Sequence, residues 1–556
     1  MQSGPTMRKR KVLFVTEGSF HPTGYSVYTK EVLSRLFRHP ELEVAELACY
    51  THEGMPELQS IPWKVYPNTP RPDNEQHNQI YNSSMSNKFG DFMFNHVLLD
   101  FQPDFVMDIR DWWMLEFEER SPFRSFFNWA IMPTVDAAPQ NQNWIDTYSG
   151  ADGVFAYSEF GRDTMKDQCR SINFVDVASP CASDIFHPIE DKAKLREEMG
   201  LDNDIIIFGT VMRNQRRKLY PDLFKAFRLF LDQNPDLTNC YLYCHTGYPD
   251  VGWDFPELLK TFGLANKVLF TYQCKKCGRV KPQFFNDAVD FCHNCNLYSS
   301  TLVSISNRME DTVLNKVYNL FDVYVQWANS EGWGMPQLEA AYAGLPVISV
   351  YYSAMESLID NIRGIGIKPV GFYKELETGC ERAVPDNQAL ADTIAGLARD
   401  SQKRKYTANK CYTNAKKIYN WDYTANKWLK YFLSQPLKDP KTTWESPPNF
   451  HNPPSVLPAE LGQMTITDQV NWLMINVLNK PDWINRSYWR RLVRDLTYRA
   501  GLSSSIPGYY FNDFSHPDME RKLDEFTLEK AFEICKNLRS IFNDWERNRM
   551  QKLEQK

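Results

Sequence analysis

The chain has 556 residues, 43% of them hydrophobic and 24% charged, and a formal net charge of −6. This length predicts several domains of about 100–200 residues each, and the charge excludes a protein that is basic overall. No apolar run approaches the ~18–20 residues that span a membrane. The apolar stretch near the N-terminus is too short for a signal peptide. We therefore expect a cytoplasmic protein.

The first part of the chain predicts an α/β unit. Apolar runs at 11–15, 105–107, 130–132 and 153–156 predict strands, and helical patterns separate them. The opening order of strand, glycine-containing loop and helix is typical of a doubly wound fold. We predict one Rossmann-like unit over residues 10–195.

A second unit of the same kind is predicted over residues 200–415. Its strand candidates are 205–208, 240–244, 268–271, 323–327 and 346–350, with helical patterns that include 220–231, 314–321 and 335–342. Nucleotides bind in a crevice at the carboxyl ends of parallel strands in such folds. Two tandem units therefore predict a nucleotide site between them.

The composition changes after residue 435. Seven prolines between 436 and 458 predict a linker or an extended strap over residues 436–460. Helical patterns at 467–478, 484–500 and 523–547 then predict a helical appendage over 461–556. The segment 483–494 interleaves aromatic residues with arginines, which is typical either of nucleic-acid binding or of a helix packed on the body.

Two glutamates provide the strongest candidate for a catalytic site. Seven residues separate Glu331 from Glu339, and Pro336 between them suits the first turn of a helix. The free N–H groups of that helix terminus, with Gly334 and Met335 beside them, favour a phosphate. A carboxylate at Glu339, about one turn into the helix, can accept both hydroxyls of a ribose. The pattern predicts a nucleotide donor site.

Polar residues also follow two strand candidates of the first unit. Asp108, Arg110 and Asp111 follow one strand, and Asp136 follows the next. Strand ends face the crevice, so these residues are candidate ligands for a second substrate, the acceptor of a group transferred from the nucleotide. Ion pairing within the fold is the alternative interpretation.

Four of the twelve cysteines form a metal-binding pattern. Two C-x2-C pairs separated by 14 residues predict a tetrahedral zinc site of Cys274, Cys277, Cys292 and Cys295. Four thiolates leave no open position, so the zinc would be structural. We predict a zinc ribbon over 272–298. Its basic residues would contact an acceptor, nucleic acid or protein; the alternative is that the ribbon only braces the fold. The other eight cysteines are expected to be reduced and mostly buried.

The segment 330–349 resembles the C-terminal signature of retaining GT-B glycosyltransferases of family 4, the glycosyl transferases group 1. The segments 154–162, 184–188, 314–325 and 420–423 resemble other parts of that family, so the resemblance covers about residues 10–435 with the ribbon as an insertion. The chain departs from the family pattern at two places: Trp333 replaces a Phe, and the His that the family often has near Asp136 is absent from this segment.

The resemblance implies a GT-B fold, with an acceptor domain at 10–195, a donor domain at 200–415 and a crossover helix at 416–435. It implies transfer of a hexosyl or pentosyl group from a UDP- or GDP-sugar with retention, without a catalytic metal. Arg213 and Lys218 match the pair that holds the donor diphosphate. Glu331 would orient the donor sugar or stabilise oxocarbenium charge, and Gly24 matches a turn near the donor phosphate or the acceptor. Arg216 and Arg217 are either solvated or contact a polyanionic acceptor.

The acceptor class stays open among a glycan, a lipid and DNA. One alternative is a DNA-modifying glycosyltransferase that acts on a hydroxylated base. Another is a non-catalytic nucleic-acid-binding protein on a decayed GT-B scaffold. Both glutamates and both donor cations are present, which argues against decay.

Overall fold

A computed structural model describes residues 8–438 except 120, 122, 305, 306 and 308, then residues 444, 451–464 and 466–477, and scattered residues between 528 and 551. The first unit is a parallel sheet in the order β3-β2-β1-β4-β5-β6-β7. Its strands are β1 (Arg10–Glu17), β2 (Leu42–His52), β3 (Lys64–Thr69), β4 (Phe105–Asp108), β5 (Asn128–Ile131), β6 (Gly153–Ala156) and β7 (Phe174–Val177).

Helices connect these strands and bury their apolar faces on the sheet. The helices are α1 (Gly24–Leu36), α2 (Glu75–Asn82), α3 (Phe92–Phe101), α4 (Trp112–Glu119), α5 (Gln142–Ser149) and α6 (Glu159–Gln168). The start of α1 shows the local logic, because the Thr23 hydroxyl accepts a hydrogen bond from the N–H of Ser26 and caps the helix. The order of the sheet reverses between β1 and β4, which opens a crevice at the carboxyl ends of these strands.

The second unit holds a sheet in the order β12-β13-β10-β9-β8-β14-β15-β16, with β11 paired to β10. Its strands are β8 (Ile206–Val211), β9 (Cys240–His245), β10 (Val268–Cys274), β11 (Val280–Phe284), β12 (Val289–Cys292), β13 (Leu297–Leu302), β14 (Val323–Gln326), β15 (Val347–Val350) and β16 (Ile365–Ile367). The antiparallel strands β11, β12 and β13 continue the sheet beyond β10 and contain most of the predicted ribbon.

The helices of the second unit are α7 (Lys192–Glu198), α8 (Tyr220–Gln233), α9 (Phe255–Phe262), α10 (Asp311–Leu320), α11 (Met335–Tyr342), α12 (Ala354–Ile362), α13 (Asn387–Arg399) and α14 (Ser401–Ile418). A hairpin of β17 (Gly371–Lys374) and β18 (Glu381–Val384) forms a two-stranded sheet of its own. It lies between β16 and α13 in the sequence.

The chain then returns to the first unit through α15 (Trp421–Ser434). Trp428 of this helix stacks on Phe155 with ring centroids 3.7 Å apart, and its indole N–H donates to the Tyr28 hydroxyl at 2.7 Å. A Cβ at Gly153 would lie 2.5 Å from the Tyr431 hydroxyl, so the glycine makes room for the helix. The crossover helix is therefore held by the first unit.

Parts of the C-terminal region are also described. Trp444 is buried against Phe123 and Phe126, so the proline-rich segment contacts the first unit at this residue. The helix α16 (Ile466–Asn476) confirms the first helical pattern of the appendage. The predicted helix 484–500, with its aromatic and arginine residues at 483–494, lies outside the described residues. No helix in the described part of the chain is long and apolar enough to cross a membrane.

Candidate active site

Two loops of the second unit meet where the order of its sheet reverses. Strand β8 lies between β9 and β14, so the loop after β8 adjoins the loop 327–334 after β14, which we call the signature loop. The N–H of Leu219 donates to the carbonyl of Trp327 at 2.9 Å, and the N–H of Asn329 donates to the carbonyl of Arg217 at 2.9 Å. These backbone bonds place the cations of one loop beside the glutamate of the other.

Glu331 is buried at the centre of this junction. One of its carboxylate oxygens accepts a hydrogen bond from the Gln326 amide at 2.7 Å and contacts the Lys218 ammonium, and the other contacts the Arg217 guanidinium. Its backbone N–H donates to the Ser353 hydroxyl at 2.9 Å. The carboxylate is thus fixed in direction, and two cations face a single negative charge.

The protonation of Lys218 responds to this environment. Burial, and to a smaller extent the charge of Arg217, lowers the pKa of Lys218 well below its usual range. A bound anion would oppose both effects by stabilising the ammonium. The site is therefore matched electrostatically to a ligand that brings negative charge.

The N-terminus of α11 adjoins Glu331 and has two features of an anion site. Gly334 precedes the helix with a φ of 93°, a left-handed conformation that favours glycine, and no side chain of the described residues caps the terminus. The amide of Gln337, in the first turn, is fully buried and has no hydrogen-bond partner in the part of the chain that the structure describes. Both the backbone and this amide can donate to a ligand.

Glu339 lies on the same helix, as the spacing predicted. Its carboxylate accepts a hydrogen bond from the buried Tyr318 hydroxyl at 2.7 Å and is only partly buried. The tyrosine restricts the direction of the carboxylate. This geometry is compatible with binding a polar ligand such as a diol.

The structure separates the two cations that the resemblance paired. Lys218 contacts Glu331, whereas the Arg213 guanidinium is half-exposed and pairs with Asp250 at 2.9 and 3.0 Å. Arg217, which the sequence left open, stands at the carboxylate instead. The geometry thus favours Arg217 over Arg213 as the second cation of this cluster.

Asp108 and Arg110 show the ion pairing that the sequence offered as the alternative to acceptor binding. Both side chains have 0% exposure and pair with each other, with the Arg110 Nε 3.0 Å from an Asp108 oxygen. Arg110 also reaches the Cys49 sulfur at 3.2 Å. Each charge needs the other once it is removed from water, so the two buried side chains pair.

Asp111 and Asp136 lie on the face of the first unit that meets the second unit. The Tyr25 and Thr134 hydroxyls are hydrogen-bonded to each other at 2.9 Å, and burial, with a smaller contribution from Asp136, raises the pKa of the neighbouring Asp111 to about 6. Asp136 pairs at 2.8 Å with Arg382 of the second unit. Arg217 lies within electrostatic reach of both carboxylates.

Gly24 begins α1 directly after its capping residue. A Cβ at Gly24 would meet nothing within 4 Å, so the backbone here borders open space. The next residue, Tyr25, is the one whose hydroxyl is hydrogen-bonded to Thr134 at 2.9 Å, beside Asp111. The sequence reasoning selected the glycine and missed the tyrosine, whose role depends on contact with a strand end more than 80 residues away.

The four predicted cysteines form one cluster. Their sulfur atoms all lie within 4.8 Å of one another, with Cys274–Cys295 at 3.9 Å and Cys277–Cys292 at 3.8 Å. A tetrahedral site with metal–sulfur distances of about 2.3 Å has sulfur–sulfur edges of about 3.8 Å. All cysteines of the described residues are free thiols, so the residues present fit a metal rather than disulfides.

Comparisons with known proteins agree with this architecture. The chain resembles sucrose-phosphate synthase from Thermosynechococcus elongatus (TM-score 0.53, 15% identity, covering 77% of this chain and 98% of that one). It also resembles a glycosyltransferase from Rickettsia africae (TM-score 0.50, 15% identity, coverage 77% and 100%) and an E. coli structure described as "Trehalose-6-phosphate" bound with UDP-2-fluoro glucose (TM-score 0.51, 12% identity, coverage 77% and 100%). The fold is GT-B.

The family comparison is more specific. Residues 299–417, which include the signature loop and α11, match the family model described as Glycosyl transferases group 1. A search of curated protein sequences finds no match. The family match over residues 299–417 and the shared fold together support a glycosyltransferase, in agreement with the resemblance stated from the sequence.

Proposed function

We propose that the chain moves a sugar from a nucleoside-diphosphate sugar to an acceptor hydroxyl with retention at the anomeric carbon. The observation that carries the proposal is the Glu331 carboxylate, held between Lys218 and Arg217 beside the N-terminus of α11. A diphosphate leaving group develops negative charge in the transition state. Fixed cations and helix N–H groups stabilise such charge without reorganising.

The donor is proposed to lie along the second unit. Its diphosphate would contact Lys218, Arg217 and the N-terminus of α11, at Gly334, Met335 and Pro336. Glu339 would accept the ribose hydroxyls while Tyr318 holds its orientation. Glu331 would orient the sugar and stabilise positive charge at the anomeric carbon. Arg213 would join the diphosphate only if it releases Asp250.

A UDP- or GDP-sugar is the proposed donor. Support comes from the E. coli relative, which was solved with UDP-2-fluoro glucose. We propose the departing diphosphate as the group that takes the proton from the acceptor hydroxyl on the same face of the sugar, so no catalytic metal is required.

The acceptor is proposed to bind on the first unit, with Asp111 as a hydrogen-bond acceptor for its hydroxyl. Asp111 lies beside the hydrogen-bonded Tyr25 and Thr134 hydroxyls, on the face of the first unit that meets the second unit. Asp136 is less suited, because Arg382 already occupies it. We assign residues 10–195 as the acceptor domain and 200–415 as the donor domain, joined by the crossover helix 416–435. The linker is assigned to 436–460 and the appendage to 461–556.

The cysteine cluster is proposed to hold one structural zinc ion. The backbone N–H groups of Lys276 and Cys277 point at the Cys274 sulfur at 3.4 and 3.5 Å, and the Ser299 hydroxyl lies 3.1 Å from it. These contacts orient the thiolate as outer partners of metal ligands do. Zinc would join the two hairpins of the ribbon and would take no part in sugar transfer.

The proposal is tested by calorimetric titration with UDP-, GDP- and ADP-sugars. We expect saturable binding of at least one of them, with loss of binding in Glu339→Ala by about 1–3 kcal/mol because the ribose loses charge-assisted hydrogen bonds. Binding of DNA that weakens steeply with salt, with no binding of any nucleotide sugar, would favour the nucleic-acid-binding alternative instead.

A further inference from the structure

The hairpin of β17 and β18 contacts both units at the crevice between them, which we call the cleft. Its two strands pair in the register Gly371↔Val384 to Lys374↔Glu381, with Tyr373 opposite Arg382. The hairpin belongs to the second unit, where it precedes α13. Its second strand also reaches the first unit.

Three hydrogen bonds join the hairpin to the signature loop. The N–H of Ala383 donates to the carbonyl of Asn329 at 3.1 Å, and the Asn329 amide donates to the Tyr373 hydroxyl at 3.0 Å. The Arg382 guanidinium donates to the Ser330 hydroxyl at 2.6 Å. The hairpin thus holds the two residues that directly precede Glu331.

A second set of bonds crosses to the loop after β5. Arg382 donates to Asp136 at 2.8 Å, and the N–H of Glu381 donates to the carbonyl of Ala138 at 3.0 Å. The Tyr352 hydroxyl donates to the carbonyl of Glu381 at 2.7 Å and accepts from the N–H of Ala138 at 3.1 Å. The first unit is therefore tied to the hairpin by side chain and backbone together.

The signature loop itself touches the first unit. A Cβ at Gly332 would lie 2.4 Å from the Thr134 methyl group, so only glycine permits this approach of the two units. The Thr134 hydroxyl is hydrogen-bonded to the Tyr25 hydroxyl at 2.9 Å, beside Asp111. The contact brings the signature loop, next to Glu331, against the residues proposed to bind the acceptor.

Arg382 is the side chain that joins the two sets of contacts. Its side chain is 8% exposed, and it donates to Glu375 of its own hairpin as well as to Asp136 and Ser330. A guanidinium removed from water needs such partners. Separation of the two units would move Asp136 away from Arg382, so the hydrogen bonds of Arg382 depend on whether the cleft is closed.

We propose that the hairpin 371–384 is a clamp and that Arg382 is a positioning residue, whose guanidinium couples closure of the cleft to the placement of Glu331 through Ser330. The inference rests on the proposed function. The proposed donor contacts lie on the second unit alone and the proposed acceptor contact lies on the first, so transfer, unlike donor binding, needs the two units together. Loss of the clamp therefore reduces turnover while nucleotide affinity stays close to that of the wild type.

The test compares two carboxylates that bind the same guanidinium. Asp136 and Glu375 are each 28% exposed and lie 2.8 and 2.7 Å from Arg382, but only Asp136 crosses the cleft. We expect Asp136→Asn to lower kcat for donor consumption at least 10-fold and to change the nucleotide Kd less than 3-fold. The matched control Glu375→Gln should change both quantities less than 3-fold.

Distance and rescue measurements separate a clamp from a general structural role. Fluorophores at the exposed positions Gln76 and Lys225 report the separation of the units, which should increase in Asp136→Asn and not in Glu375→Gln. Arg382→Lys, which keeps the charge, should retain more turnover than Arg382→Gln. Equal behaviour of the two carboxylate variants, or a changed acceptor KM with an unchanged distance, would overturn the clamp.

Failure of the clamp and failure of the proposed function give different results. If the wild type binds no nucleotide sugar, the proposed function fails. The distance measurement without ligand still tests the clamp, because the Asp136–Arg382 pair involves only residues of the chain itself. An unchanged distance in Asp136→Asn, with normal nucleotide binding, overturns only the clamp.

Discussion

Replacement of Lys218 by methionine tests the cation cluster most simply. Methionine keeps the apolar stem of the buried lysine and removes only its charge. Loss of one preorganised donor to a developing anion lowers turnover by about 10²–10³-fold, or about 2.7–4 kcal/mol. Glu331 still has Arg217 and Gln326, so it is not left as an uncompensated buried charge. Because burial and Arg217 disfavour the Lys218 ammonium, its removal also relieves an electrostatic cost, so the free energy of unfolding should fall by less than about 1 kcal/mol, far less than for a fully broken buried pair.

The assay is the initial rate of nucleoside diphosphate release at saturating donor, with stability followed by urea unfolding. Lys225→Met is the matched control, because Lys225 is an exposed residue of α8, and it should retain wild-type turnover. A Lys218→Met protein that is folded and turns over within about 3-fold of the wild type would refute the assignment. The diphosphate would then bind elsewhere.

Three further predictions concern other residues of the site and the metal. Arg217→Gln should lower turnover about 10²-fold and Arg213→Gln less than about 5-fold, since Arg213 is half-exposed and pairs with Asp250. The reverse order in steady-state rates would support Arg213, the residue chosen from the sequence, as the cation that holds the diphosphate. Transfer should rise with pH through about 6 as Asp111 ionises, and Asp111→Asn should abolish this inflection in the pH–rate profile. Because burial raises that pKa from 3.8 to about 6, stability falls as the pH rises from about 4 to 6 and the loss is complete above 6. At pH 7 the free energy of unfolding of Asp111→Asn should therefore exceed that of the wild type by about 1–3 kcal/mol. Elemental analysis should find about one zinc per chain, and the zinc should be lost when Cys277→Ser and Cys292→Ser are combined. Hydrolysis of the donor sugar without acceptor should survive in a folded deletion of the ribbon. Loss of that hydrolysis would place the metal in the catalytic machinery.

Local signals account for what the sequence predicted well. The helix 335–342 was predicted with its observed bounds, because Pro336 marks its start and Gly344 follows its end. The zinc-type cluster followed from spacing alone, since two C-x2-C pairs can bring four sulfurs together. Strands β2 and β3 carry charged and polar residues within their runs, and they were not predicted.

Contacts between distant residues account for what was missed. Arg382 lies 246 residues from Asp136, and nothing near it in the sequence indicates a partner across the cleft. Asp108 and Arg110 are a local case, in which the sequence left acceptor binding and ion pairing open and the buried side chains pair with each other. The choice between Arg213 and Arg217 likewise depended on Asp250, a residue from another loop.

The most direct test of the central claim is time-resolved proton NMR of donor hydrolysis, with water as the acceptor. The donor is an α-linked nucleoside-diphosphate sugar that binds the wild type in calorimetry. The account predicts that the α-anomer of the free sugar forms first and then mutarotates, and that Lys218→Met slows its formation about 10²-fold or more. First appearance of the β-anomer, or no consumption of any bound donor, would contradict a retaining glycosyltransferase.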